Sequence, residues 1–352
     1  MKEKSITYCY IVDGDSAFTL VSRYHIECLR SKGFEVKEVD RSKLRYSILL
    51  PTGYVIIHPY MSLYFPMSDN EIKLQAIKLR STLCDKIVGI DVADSDRISE
   101  RAIWITELLL DILIVPSNFS RNSFVNSGFK GRIEVVPHGV SDIFLDTPFT
   151  IRNPELYILH RRFRDKKKLL YFCLRNDYRK GGDIVEKAVE QLRRERNDFV
   201  VIGKMGKHVK LKGFCDYVIT DFLDEYDLKT LYDICDILLL PSRGGAFELN
   251  GLEALVRYRP VIYPMESCIV EYAYKVIPEL AVKISNRPRV FPNNKVHIGC
   301  GHEVDLEDFI DKIHYALDNV EELKAKVKER FKDREKYRWK NIVEQIISIV
   351  EG

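Results

Sequence analysis

Three short stretches of this sequence set charged side chains beside glycines, a combination that lets a backbone come close to an anionic ligand. The first, Asp13-Gly14-Asp15-Ser16, follows an apolar run; Gly14 permits a sharp turn there and Ser16 can cap a following helix. The second, Leu174-Arg175-Asn176-Asp177-Tyr178-Arg179-Lys180-Gly181-Gly182, places three cations and two glycines ahead of a helix start. A diphosphate would meet guanidinium and ammonium groups, open backbone N–H groups and a positive helix end in that one turn. The third runs Pro241-Ser242-Arg243-Gly244-Gly245-Ala246-Phe247-Glu248-Leu249-Asn250-Gly251-Leu252-Glu253-Ala254. Glu248 stands just before the expected helix and Glu253 about one turn inside it. On the helical period Leu252 and Leu255 turn inward, while Glu253 faces the strand end, where a carboxylate can accept both hydroxyls of a ribose. The N–H groups of Asn250, Gly251 and Leu252 are then available to phosphate oxygens. Each stretch also has a plainer reading: an ordinary strand-to-helix turn, a solvated basic turn, and acidic residues complementing a helix dipole.

Other chemistries lack their signatures. No G-x-x-x-x-G-K-[ST] is present, which argues against an NTP-hydrolysing loop, and no G-x-G-x-x-G follows a strand, which argues against a dinucleotide-dependent oxidoreductase. The eight histidines show neither H-x-x-x-H nor H-E-x-x-H, and the eight cysteines form no C-x-x-C pair. We therefore expect no protein-bound metal, and buried thiols in a reducing compartment.

The positioning elements follow from hydrophobic periodicity. Strands are predicted over Ile6–Val12, Phe34–Val39, Tyr54–His58, Lys86–Ile90, Ile112–Val115 and Arg132–Val136, with helices over Ala17–Ser31, Asn70–Cys84 and Ile98–Leu110 between them. The rhythm lapses around residues 141–167 and then restarts. Strands follow at Leu169–Leu174, Asp198–Ile202, Tyr217–Thr220, Ile237–Leu240 and Pro260–Tyr263, and helices at Gly182–Arg194, Asp224–Cys235 and Leu249–Arg257. Leu306–Arg330 reads as one or two Lys/Glu-rich surface helices and Trp339–Val350 as a last amphipathic helix. Alternating strands and helices imply parallel sheets covered on both faces, so the fold class is α/β with two αβα halves. The expected division is 1–150, a linker at 151–167, a second domain at 168–335 and a closing helix at 336–352. In such sheets ligands bind at the carboxyl ends of strands, where all three stretches lie.

The 352 residues are ample for two domains. With 55 basic against 52 acidic residues and a net charge of +3, no broad field for nucleic acid exists. The N-terminus has no signal-peptide h-region and no run reaches membrane-spanning length, so the expected location is the cytoplasm. The run Arg161–Lys168 reads as a solvated linker or as a contact for anionic lipid headgroups; the second reading would make the protein peripheral to a membrane.

The string Pro-Ser-…-Phe-Glu-Leu-Asn-Gly-Leu-Glu-Ala, followed by Arg259-Pro260-Val261-Ile262, resembles the donor segment of the GT-B glycosyltransferases of family 4. Val115-Pro116-Ser117-Asn118-Phe119-Ser120-Arg121, Ser127-Gly128 and Val135-Val136-Pro137-His138-Gly139-Val140 resemble the end of that family's N-terminal domain, and the helix at Trp339 its last helix, which crosses back to the first domain. The resemblance implies two Rossmann-like αβα domains facing each other across a cleft. The implied reaction is retaining transfer of a hexose from a UDP- or GDP-sugar, without metal or other cofactor. Arg175 and Lys180 would neutralise the leaving diphosphate, Glu253 would hold the ribose, and Gly14 would let the first-domain loop close. The acceptor would be a glycan, a protein or a lipid-linked sugar. Two departures stand out. The family often has two glutamates with seven residues between them, but Gly245 stands at the matching position, eight before Glu253, and Glu248 would approach the donor sugar instead. The family also often presents a histidine near the reacting sugar, whereas Ile90 is followed by Asp91-Val92-Ala93-Asp94-Ser95-Asp96-Arg97; Asp91 or Asp94 would take that place, with His58 a second candidate. The alternative is a degenerate protein that binds nucleotide-sugar without transferring it.

Overall fold

A computed structural model describes residues 5–13, 16–40, 43, 53–81, 84–175, 177–210 and 213–352. The chain forms two compact units. One comprises Met1–Gly139, Pro292–Gly299 and Trp339–Gly352; the other comprises Val140–Phe291 and Cys300–Arg338.

The first unit is built on β1 (Ser5–Tyr10), β2 (Glu35–Asp40), β3 (Tyr54–Ile57), β4 (Lys86–Ile90), β5 (Ile112–Val115) and β6 (Arg132–Val135). They lie in the order β2-β1-β3-β4-β5-β6, every pair parallel. Val55, Ile56, Ile57, Val88 and Leu113 are buried on both faces, which is why these strands read as continuous apolar runs. Serines start two of the covering helices: Ser99 caps Glu100–Leu109 and Ser117 caps Asn118–Asn126, each accepting an N–H from the first turn. The last helix, Trp339–Glu351, packs on Ala17–Ser31, where the rings of Tyr24 and Trp339 stack at 5.1 Å.

The second unit holds β7 (Lys167–Cys173), β8 (Phe199–Met205), β9 (Tyr217–Ile219), β10 (Ile237–Leu239), β11 (Val261–Pro264) and β12 (Ala281–Val282). Their order is β12-β11-β10-β7-β8-β9, again all parallel. The chain winds outward to one side from β7 and to the other from β10. The connections from these adjacent strands therefore run to opposite sides of the sheet, leaving at their carboxyl ends the crevice where doubly wound sheets take ligands.

Both expected αβα halves are present. The region where the rhythm lapses is not structureless, however. It carries the helices Asp142–Asp146 and Pro154–Arg162. The second begins on Asn153, whose side chain accepts the Glu155 N–H, and has Pro154 in its first turn. It buries only Leu156 and Leu159, too few positions to leave a periodic trace. The basic run is also not one surface. Arg161 and Arg162 end that helix, Lys167 pairs with Asp198 at 3.0 Å, and the buried Lys168 ammonium donates to the Lys166 carbonyl. The Lys/Glu-rich stretch forms two helices, Leu306–Asp318 and Val320–Arg330, which bury Phe309, Ile313 and Leu323. No described helix is long and apolar enough to cross a membrane.

Candidate active site

In the second unit the loops after β7 and β10 converge on Glu248. Its carboxylate accepts from the Lys180 ammonium and lies 3.4 Å from Arg179 Nη1, which also donates to the Gly244 carbonyl at 2.8 Å. The side chain is only 4 % exposed. Glu248 adopts the left-handed region at φ 61°, a conformation that costs a residue with a Cβ about 1–2 kcal/mol. That turn swings the carboxylate back over Gly245, where an added Cβ would collide with Glu248 Oε1. The departure at Gly245 thus has a physical reason: Glu248 fills the space a side chain there would need. Gly245→Ala is expected to drive Glu248 off its cations and cost roughly 1–3 kcal/mol by overpacking. A melting temperature equal to the parent's would mean that the loop opens freely.

Gly181 brings the two loops together. It sits at φ 71°, and a Cβ there would strike the Pro241 carbonyl oxygen. Arg243 fastens them: buried itself, it binds Asp183 through both terminal nitrogens, Glu303 through Nε and the Tyr178 carbonyl through Nη1. Arg175 is exposed and pairs with no carboxylate among the described residues, whereas Arg179, which the sequence reading did not single out, stands with Lys180. Ser242, at the root of the same loop, is buried with a hydroxyl that finds no hydrogen-bond partner among the described residues.

The helix Leu249–Val256 follows. Leu252 and Leu255 enter the core as expected. The Gly251 N–H donates to the Glu248 carbonyl at 3.0 Å, and Tyr272 O–H donates to that same oxygen, so this amide is already engaged; Asn250 lies part-exposed in the first turn. Glu253 accepts from Tyr232 O–H at 2.7 Å. Burial pushes the Glu253 carboxyl up to about 7, the tyrosine bond working against this and the charge of Glu225 adding to it. Burial likewise pushes Glu225, in the first turn of Glu225–Ile234, up to about 7. Nothing in the sequence around Glu225 marks it, since acidic residues at helix starts are ordinary.

In the first unit Gly14 lies outside the described residues. Asp91 follows β4, buried, and its carboxylate accepts the N–H groups of Met61 at 2.8 Å and Val92 at 2.9 Å. Burial raises its carboxyl to about 7 against the pull of those two bonds. Asp94 lies three residues on, and its N–H donates to His297 Nδ1 at 3.3 Å. An accepting Nδ1 puts the proton of a neutral ring on Nε2. So this loop does have a histidine beside it, brought by Pro292–Gly299 from some 200 positions away. His58 does not join Asp91 and Asp94. It is buried with Nδ1 on Ser22 Oγ at 2.9 Å, among Phe18 and His25, and burial holds its ring well below the usual imidazole range.

Residues 166–273, which span both loops around Glu248, match the family described as Glycosyl transferases group 1. Protein 356 of Sulfolobus islandicus rod-shaped virus 1, itself uncharacterized, is 31% identical over 359 residues, 99% of this chain and 99% of that one. A protein of a Sulfolobus islandicus filamentous virus, provisionally named glycosyltransferase 45, is 26% identical over 326 residues, 90% of this chain and 86% of its own. Among solved structures, an Anabaena protein crystallised with UDP and glucose is similar at TM-score 0.67 and 11% identity, over 99% of both chains. A sucrose-phosphate synthase from Thermosynechococcus elongatus is similar at TM-score 0.68 and 14% identity, over 99% of this chain and 98% of that one. At such identities the solved structures speak to the fold alone.

Proposed function

We propose that this chain, which has the GT-B fold and matches the glycosyl transferases group 1 family over residues 166–273, is a glycosyltransferase that moves a hexose from a UDP- or GDP-sugar to an acceptor hydroxyl, with retention and without a metal ion. The observation that carries this reading is the pair of cations, Lys180 and Arg179, gathered at the β7/β10 crevice around a carboxylate that an incoming diphosphate would replace. They would balance the charge that grows on the leaving diphosphate, the task a divalent ion performs elsewhere. Glu253 would receive the ribose hydroxyls and Glu248, once released, would lie against the sugar. With both cations engaging Glu248, we favour attack from the face the diphosphate leaves, a phosphate oxygen taking the acceptor proton, over a carboxylate nucleophile. Asp91, Asp94 and His297 would serve the acceptor side. The cytoplasm, where nucleotide-sugars are made, is the matching compartment.

Calorimetric titration with UDP, GDP, ADP and their sugars, with and without EDTA, tests the donor reading. One nucleotide series should bind, and EDTA should not weaken it. No binding by any nucleotide sinks the proposal; donor binding with no nucleoside diphosphate released in the presence of any acceptor would turn it into the non-transferring alternative.

Glu253 adds a pH signature. Its carboxyl sits at about 7, above the 4.5 of the free side chain. The protonated group therefore contributes stability that is complete below about 4.5 and is lost as the pH rises through about 7. Two ribose hydroxyls, one donating to each oxygen, are best met by the ionised form, so binding should draw a proton off the Glu253/Glu225 pair. Nucleotide affinity is expected to rise up to about tenfold per pH unit below 7 and to level off above it. Glu253→Gln should flatten the profile; a flat parent profile would remove Glu253 from the ribose.

A further inference from the structure

The first unit contains an open pocket of about 780 Å³, within the range of sites that take sugar-sized ligands. Three stretches wall it: the turn Phe65-Pro66-Met67, the start of the helix Glu100–Leu109 with Ser99 and Arg101, and Asn293–Val296 of the strap that belongs to this unit. The strap is fastened, not draped. Ser99 N–H donates to the Val296 carbonyl at 2.9 Å, His297 bridges Ile98, and Gly299 N–H donates to Ser95 Oγ at 3.3 Å. Asn294 folds it locally, its Oδ1 accepting the N–H groups of Val296 at 2.7 Å and His297 at 2.9 Å. Gly299 packs so tightly on Asp96 and Arg97 that a Cβ would collide with both.

The lining has a definite chemistry. Phe65 offers a ring whose other partner is the Arg101 guanidinium, 5.7 Å from its centroid. Arg101 is itself positioned by the Met67 carbonyl at 2.5 Å and by Asp69. Asn293 is exposed on the strap, and Lys295 is exposed with no ion pair among the described residues. No carboxylate lines the pocket. An aromatic face beside amides suits the C–H face and hydroxyls of a sugar ring, and Lys295, without an ion pair among the described residues, suits an anion; Arg101, although paired with Asp69, has further N–H groups on its fork to offer the same anion. The pocket is also contiguous with the loop that bears Asp91 and Asp94, because Ser99 closes that loop and the strap that forms the wall carries His297 onto Asp94.

We propose that this pocket is the acceptor site and that the acceptor is a carbohydrate bearing an anionic group, a phosphate, sulfate or carboxylate, set toward Lys295 and Arg101. The acceptor role rests on the proposed transfer; the recognition of an anionic sugar does not.

The test is calorimetric titration of the full chain with glucose 6-phosphate, glucose 6-sulfate, glucuronate, maltose and inorganic phosphate. At least one anionic sugar should bind tenfold or more tighter than maltose and than inorganic phosphate. Lys295→Glu, a change at an exposed side chain, should abolish that preference and leave the melting temperature unchanged. Failure of all three anionic sugars to bind, equal binding of maltose, or an unchanged preference in Lys295→Glu overturns the proposal, and phosphate binding as tightly as its sugar ester reduces the pocket to an ion site. Nucleoside diphosphate titrated into Lys295→Glu keeps the two readings apart: parental affinity leaves the donor assignment standing when the acceptor assignment falls. Absence of nucleotide binding in the parent, with the anionic sugar still bound, would instead overturn the acceptor role.

Discussion

Lys180→Ala is expected to weaken nucleoside diphosphate binding by about 10- to 100-fold. A hydrogen bond to a charged group contributes about 1.5–3 kcal/mol, and each tenfold in affinity is about 1.4 kcal/mol. The variant also loses stability, because Lys180 has a second task. In the unliganded protein it neutralises Glu248, whose side chain is 4 % exposed and would be left with Arg179 alone at 3.4 Å. Breaking one member of a buried pair costs up to about 3 kcal/mol here, the remaining arginine softening the loss. The two tasks separate in a double variant. Lys180→Ala with Glu248→Ala removes the orphaned charge and should recover most of the melting temperature, while diphosphate binding stays weak. If the double variant recovers binding as well, Lys180 serves only Glu248 and the diphosphate is held elsewhere.

That carboxylate also shows where sequence reading stops. Lys180 and Glu248 were recognisable as chemistry-bearing types after strand ends, and those strand ends were recognisable because runs such as Ile112–Val115 are apolar throughout. What brings the two side chains together is a left-handed turn at Glu248 and the vacancy above Gly245. A glutamate at positive φ leaves no mark in a sequence. The choice between Arg175 and Arg179 was equally hidden, since both stand in one basic turn and only the short helix Asp177–Lys180 sets which of them meets Glu248. The order of β10 beside β7 lies beyond periodicity too, because it depends on pairing between segments some 70 residues apart. His297 is the extreme case. Its segment has no helical or strand period, and its only signal is a fold that returns the chain to the first unit for a few residues before leaving it again. The helix Pro154–Arg162 escaped for the opposite reason: its start signals, Asn153 and Pro154, were present, but two buried leucines made no pattern.

The positioning residue behind the whole donor crevice is Arg243, and its replacement by Met should be strongly destabilising. The guanidinium holds Asp183 at 2.7 and 2.8 Å, Glu303 at 2.7 Å and the Tyr178 carbonyl at 2.7 Å, with its Cζ 4.2 Å from the centre of the Tyr178 ring. The backbone of Arg243 adds a bond to the Arg179 carbonyl at 2.7 Å. A lysine cannot reproduce this, having a single ammonium where four differently aimed N–H groups on three nitrogens are used, so Arg243→Lys should behave much like Arg243→Met. Losing the hub strands two carboxylates. Because Asp183 and Glu303 are 37% and 28% exposed, water recovers part of the cost, and roughly 2–3 kcal/mol is expected in place of the 3–5 of a fully buried pair. The pH dependence identifies the cause. Burial pushes the Asp183 carboxyl up, but the hydrogen bonds and charge of Arg243 outweigh it and hold it below the 3.8 of the free side chain. A depressed carboxyl contributes stability above about 3.8 that is lost as the pH falls through its folded value. The gap in melting temperature between parent and Arg243→Met should therefore be wide at pH 7 and narrow on acidification below about 4, and nucleotide affinity should fall with the loop's order at neutral pH. A gap of constant width would mean that Arg243 acts through packing on Tyr178 and not through its carboxylates; a parental melting temperature with lost affinity would place the guanidinium on the ligand itself.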